Sequence, residues 1–299
     1  MAFPAPLTMK AHREQYPAID HTNPANSAAG KIVAISGGTG GISYLIARGF
    51  AKAGASAVIL LARRQSARDE GSTALRAELA AAGLSTETSA DSFFDALRKR
   101  VRAEGKGPDI DILVANAGSI EQGETLLDFA LKAVRGAFET NVFGNLNLAM
   151  TGQAKDVSKA IPPGNGKIVL NVSTAVMHMR SPGHSVYSSS KLAFTHMTKH
   201  LQWEVDQLPG APVRIHSFNP GVIFTPGARK TGASEEILAH FPLDDGSLPE
   251  GFAVWLASPA AAFLKGRFAW SSWDVEELVA MKHKVEEDPE FCQMTVKGL

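Results

Sequence analysis

Tyr187 and Lys191 stand four residues apart in Ser185-Val186-Tyr187-Ser188-Ser189-Ser190-Lys191, at the start of a helical stretch, and so share one helix face. A phenol of pKa ~10 is a poor base at neutral pH, and a neighbouring ammonium favours its ionised form, which suits proton transfer to and from an oxygen. The pair alone is a weak signal, because a packed tyrosine beside a solvated lysine is the commoner outcome. It gains weight from the chain upstream, where Ser173 and Thr174 carry hydroxyls just past an apolar run and Asn141 lies in another helical stretch.

A second chemical signal is Ser36-Gly37-Gly38-Thr39-Gly40-Gly41-Ile42-Ser43, which joins a β-branched run to a helical pattern. In that context glycines let the backbone approach a pyrophosphate, and the helix N-terminus meets its charge. Gly37, Thr39, Gly41 and Ile42 are the candidate contacts. Ser43 stands where a third glycine usually packs helix on strand, and is expected to push the helix slightly outward or to loosen cofactor binding. The second strand ends in Leu61-Ala62-Arg63-Arg64, with no acid before Asp69. A carboxylate there would bind the ribose diol of NAD, whereas a guanidinium pairs with the 2′-phosphate of NADP, so Arg63 and Arg64 predict NADP(H).

These residues need a frame. Short apolar strands at Ile32 to Ser36, Ala57 to Leu61, Ile110 to Ala115, Lys167 to Val172 and Val213 to Phe218 alternate with helical stretches at Ile42 to Ala53, Ala67 to Ala82, Leu126 to Met150 and Tyr187 to Asp206. Leu84 to Ala90 is polar and is a strand by order alone. The alternation predicts an α/β fold: one doubly wound, Rossmann-like domain with a mostly parallel seven-stranded sheet over residues 30–299. Residues 1–29, rich in Pro, Ala, Asn and Ser, read as an irregular arm. The stretch after Thr225, through Glu235 to His240 and Leu243 to Gly251, reads as a lid or substrate loop.

Composition narrows the class. With 299 residues, 44% of them hydrophobic, the chain can bury a sizeable core. Thirty basic residues balance thirty acidic ones, so neither nucleic acid nor an anionic membrane is an expected partner, and a small molecule is. A single cysteine, Cys292, excludes an internal disulfide and any multi-cysteine metal site, and suits a reducing, cytoplasmic setting. No secretory signal, membrane span or metal-ligand spacing is readable, and His178 and His184 flank the expected pocket without a readable role.

Taken in order, the glycine turn, Asn116-Ala117-Gly118 after a strand, Asn141, Ser173-Thr174 and Tyr187/Lys191 resemble the short-chain dehydrogenase/reductase family from about residue 30 onward, and the N-terminal arm and the ending with Trp270 and Trp273 are similar to those of fungal members. The resemblance implies that Tyr187 donates the proton when a carbonyl is reduced, that Lys191 lowers its pKa and holds the nicotinamide ribose, and that Asn141 positions a water in a proton relay. Asn116, Ala117 and Gly118 would buttress the cofactor, Asp91, followed by Asp95, would meet the adenine, and Val222 and Thr225 would meet the nicotinamide amide and the phosphates. The family's catalytic serine falls on Thr174 by its separation from Tyr187, with Ser173 the neighbouring candidate. A homodimer or homotetramer through the two long helices is implied as well. The expected function is NADPH-dependent reduction of a carbonyl, or oxidation of the alcohol. A cyclase or isomerase using the same pocket, or a redox-inactive NADP-binding scaffold, is the alternative.

Overall fold

The computed structural model describes residues 6–37, 39–84, 86–91, 110–121, 125–149, 166–178, 183–210, 213–230 and 243–294. Ile32–Ser36 (β1), Ala57–Leu61 (β2), Glu87–Asp91 (β3), Ile112–Ala115 (β4), Lys167–Val172 (β5), Val213–Asn219 (β6) and Phe268–Trp270 (β7) form one sheet in the order β3-β2-β1-β4-β5-β6-β7. Every neighbouring pair is parallel. Strand order reverses between β1 and β4, and such a switch point opens a crevice at the carboxyl ends of the strands.

β1, β2 and β4 are apolar almost throughout because both faces are covered, whereas the edge strand β3 is polar. Val33 and Ile35 of β1 join a core cluster with Phe50 and Phe252, while Ala34 between them joins the opposite cluster with Val169 and Val205. The helices doing the covering are Gly41–Lys52 (α1), Gln65–Ala81 (α2), Leu131–Phe138 (α3), Asn145–Ala149 (α4), Ser185–Asp206 (α5), Pro226–Lys230 (α6), Ser247–Ala257 (α7), Val275–Ala280 (α8) and Lys282–Glu287 (α9). No helix among the described residues is long and apolar enough to cross a membrane.

Three expectations are corrected. The stretch from Leu126 is not one helix: a 3₁₀ turn at Leu126–Asp128 and α3 are followed by a π-helical segment, Glu139–Gly144, before α4. A π-segment inserts an extra residue per turn and is common at functional sites. It turns Asn141 and Val142 into the interior. The second half of the stretch Leu243 to Gly251, read as a lid or substrate loop, is core instead, since Leu248 to Leu256 of α7 are all buried and α7 packs on α1. Its Glu250 carboxylate lies 3.1 Å from Lys52 and is also bonded by Arg48. An aromatic in the Tyr187 to Asp206 stretch reads from sequence as core or pocket lining, yet Trp203 is 66% exposed on α5. Met150, Met179, Phe93, Phe94, Asp95 and Glu235 to His240 lie outside the described residues.

Residues 6–30 contain only two short 3₁₀ turns, Pro17–Ile19 and Pro24–Asn26, yet they are pinned. Ile19 is fully buried against the α1/α7 core, and Ala11 makes an antiparallel bridge with Trp273.

Candidate active site

Gly37 leaves β1 with φ +71, a left-handed conformation that favours glycine, and a Cβ there would come 3.2 Å from the Cα of Ala117. Its N–H donates to Leu61 O at 2.7 Å, tying the turn to β2. Helix α1 then opens at Gly41 behind Gly40, which offers no side-chain cap, so the first-turn N–H groups of Gly41, Ile42 and Ser43 are left for an anion. Thr39 is held in the turn by α2, whose Gly71 approaches so closely that a Cβ there would sit 3.1 Å from Thr39. Across the turn stands the side chain of Thr225, 3.5 Å from where a Cβ of Gly41 would be.

Ser43 is built into this arrangement. Its side chain is fully buried, its hydroxyl donates to Ser36 O at 3.1 Å, and it accepts the side-chain amide of Asn116. The Ser36 hydroxyl in turn accepts the N–H groups of Asn116 and Ala117, each at 3.0 Å. The Asn116-Ala117-Gly118 segment is thereby stapled to the glycine turn through two hydroxyls.

Asn141, buried in the π-segment, clamps Ser119, the residue after Gly118. It accepts the Ser119 N–H at 2.7 Å and donates to Ser119 O at 2.9 Å. The same amide donates to the Ser190 hydroxyl at 2.9 Å, and Ser190 donates to Tyr187 O at 2.8 Å. Sequence reading missed Ser190 and Asn145. Asn145 donates to Ala117 O at 2.9 Å and to Asn141 O at 3.1 Å, and its place four residues after Asn141 was the available signal.

Helix α5 carries the remaining groups. Lys191 is buried, and its ammonium donates to Val172 O at 3.0 Å, while burial pushes its pKa down to about 8. Tyr187 is half-buried at the site, with the Thr174 hydroxyl close enough to its phenol oxygen to favour the ionised form. Burial pushes the phenol up to about 12 and outweighs the opposing pull of the Thr174 hydroxyl. Ser173 belongs to a different contact set: its hydroxyl lies 2.9 Å from that of Thr195 and 3.4 Å from the Met177 sulfur. The strand end has directed the two neighbouring hydroxyls to opposite sides.

Arg63 and Arg64 are both exposed just past β2, and Asp91, paired in register with Leu61, ends β3 beside them. Val222 donates its N–H to Asp244 at 2.7 Å on the far side of the crevice. Beside it a cavity of about 400 Å³ opens, lined by His178, Asn219, Phe268, Trp270 and Trp273. Burial lowers the pKa of His178, so the ring is held neutral. Cys292 reaches this cavity with its thiol pushed up to about 11 by burial. His184 precedes α5 and does not line the cavity. Among the described residues no group of three or more His, Cys, Asp or Glu forms a metal site.

The family model described as short chain dehydrogenase matches residues 31–236. The chain belongs to the short-chain dehydrogenase/reductase family. It is an oxidoreductase of that family, and curated fungal relatives run through nearly its whole length. It is 33% identical over 281 residues to the short chain dehydrogenase/reductase nsrO of Aspergillus novofumigatus, covering 94% of this chain and 93% of the relative. It is 30% identical to AacuD of Aspergillus aculeatus, covering 95% and 94%. Its fold matches that of Pseudomonas aeruginosa RhlG with a TM-score of 0.70 at 22% identity, covering 83% of this chain and 97% of the other. A 7α-hydroxysteroid dehydrogenase matches with a TM-score of 0.67 at 24% identity, covering 86% and 97%.

Proposed function

We propose that this oxidoreductase reduces the carbonyl group of a small molecule with NADPH, with Tyr187 as proton donor. The observation that carries the reading is the Thr174 hydroxyl on the Tyr187 phenol, with Lys191 buried one helical turn away on α5. The residues present fit a dinucleotide: an uncapped helix N-terminus behind a glycine turn for the pyrophosphate, exposed guanidinium groups at the end of β2 for a 2′-phosphate, and a buried ammonium for a ribose. Gly37, Thr39, Gly41, Ile42, Arg63, Arg64, Asp91, Asn116, Ala117, Gly118, Val222 and Thr225 are its proposed contacts.

Bound there, the nicotinamide supplies the hydride. The chain's own groups do the rest. Thr174 donates to the carbonyl oxygen on which charge develops, and Tyr187 gives that oxygen its proton. Lys191 holds positive charge beside the phenol as it loses the proton, and Asn141, fixed by Ser119 and Ser190, orders the path that restores it. The RhlG structure is described as an NADP complex and the steroid dehydrogenase as a complex with NADH and a 7-oxo ligand. The 7-oxo ligand of the steroid dehydrogenase agrees with ketone chemistry, while the choice of NADPH rests on Arg63.

NADPH oxidation followed on a panel of ketones tests the reading. Tyr187→Phe should abolish turnover and leave NADPH binding nearly intact, since it deletes the proton donor and little contact surface. Retained turnover in Tyr187→Phe would overturn the mechanism.

A further inference from the structure

The cavity beside Val222 is walled on its outer side by residues outside the family match. Ala11, His12 and Arg13 come from the N-terminal arm, and Trp270 and Trp273 from the end of the sheet. The arm is built into place. His12 donates its N–H to Ser272 O at 2.8 Å, bonds Asp274 through its ring at 2.8 Å and stacks on Tyr16 with ring centroids 3.5 Å apart. Arg13 O accepts the Asp245 N–H at 2.6 Å, and the Arg13 guanidinium meets Asp244 at 3.0 Å.

Asp244 is the junction. One of its oxygens takes Arg13 and the other takes the Val222 N–H at 2.7 Å, and its own N–H donates to Val222 O at 2.9 Å. Gly221 makes the approach possible: it has φ +98, and a Cβ there would lie 2.7 Å from the carboxylate. An exposed guanidinium contributes little Coulomb energy. Its value here is positional, because it joins the arm to the loop that faces the proposed cofactor.

The inner surface is aromatic. His178 lies 5.2 Å from the Phe268 ring and 5.9 Å from the Trp270 ring, with Trp273 completing the wall. An aromatic lining rewards a flat π-system more than a branched aliphatic one. A cavity of roughly 150 Å³ holds one benzene. About 400 Å³ therefore has room for a fused pair of rings with a carbonyl.

We propose that the N-terminal arm forms the outer wall of the substrate pocket, that Arg13 and Asp244 are positioning residues locking that wall to Val222, and that the pocket takes a flat, ring-bearing carbonyl compound. The reductase reading above supplies only the word substrate. The arm's contribution is geometric, so it acts on the ketone rather than on the cofactor or the proton.

Calorimetry on the full chain saturated with NADP, using the bicyclic ketone 1-tetralone and cyclohexanone as probes, tests the wall without needing turnover. Tetralone should bind at least tenfold tighter than cyclohexanone. Arg13→Ala should weaken tetralone at least fivefold with the Kd for NADP within twofold, and Arg13→Lys should restore most of the loss. Asp244→Asn keeps an acceptor for Val222 and loses the partner charge of Arg13, so it should match Arg13→Ala, and the double variant should add nothing further. Equal binding of the two ketones, or additive effects of the two substitutions, would overturn the proposal even if ketones are turned over. Tight tetralone binding lost in Arg13→Ala, in a protein that reduces no ketone, would uphold the pocket and overturn the reductase reading instead.

Discussion

Ser43 of α1 and Asn116 after β4, 73 residues apart, share a hydrogen bond in which the asparagine amide donates to the serine hydroxyl. The same hydroxyl donates to Ser36 O, so one buried side chain joins the glycine turn, β1 and the segment behind the cofactor crevice. Ser43→Ala leaves the Asn116 amide and the Ser36 carbonyl each short of a partner. An unsatisfied buried polar group costs about 1–3 kcal/mol, and the expected loss in urea unfolding is of that order. An unchanged midpoint would show that Asn116 finds another acceptor.

The two hydroxyls at the end of β5 should rank clearly. The Thr174 hydroxyl acts on Tyr187, whereas Ser173 bonds Thr195. Thr174→Val keeps the shape and deletes the donor, and removing an oxyanion-type donor costs about 2.7–4 kcal/mol, which is roughly a hundredfold or more in turnover. Ser173→Ala should change kcat far less and act on stability through Thr195. The reverse order in steady-state kinetics would move the role to Ser173.

Arg63, exposed beyond β2, should select the cofactor. NADP(H) is expected to bind at least tenfold tighter than NAD(H), about 1.4 kcal/mol, and Arg63→Ala should erase most of that preference. Titration of both cofactors decides it, and an unaltered ratio in the variant would refer the preference elsewhere.

The pH profile follows from burial at the site. Reduction uses Tyr187 as a phenol and Lys191 as an ammonium, and their pKa values lie at about 12 and about 8. Below pH 8 both groups are protonated, so kcat/KM for reduction should be flat near neutrality and fall as pH rises through about 8. Oxidation of the alcohol needs the phenolate and should rise with pH over the same interval. A reduction rate that climbs with pH would contradict this assignment of roles.

Self-association is expected through the outer helices. Leu127 is 95% exposed, and Leu131, Phe143, Met197 and Trp203 also present apolar surface. Phe194, by contrast, is spent inside the chain. Light scattering at micromolar concentration should give a dimer or tetramer, and Trp203→Glu should shift the mass downward. A monomeric parent chain would count against it.

What the sequence by itself determined are the parts whose signals are local. β1, β2 and β5 lie at the residues their apolar runs marked, because a strand buried on both faces needs a continuous run. The glycine turn and the Tyr187/Lys191 spacing are likewise written in adjacent residues. Only the tertiary structure decided the rest. Whether Thr174 or Ser173 meets Tyr187 depends on how β5 ends against α5, and the break at Glu139–Gly144 depends on Asn141 finding Ser119 and Ser190. That α7 is core depends on α1, and that the arm is a wall depends on Asp244 and Ser272. Each of these outcomes is set by partners distant along the chain. A side chain's direction is chosen by the group it bonds, and that group is brought near only when the sheet has closed.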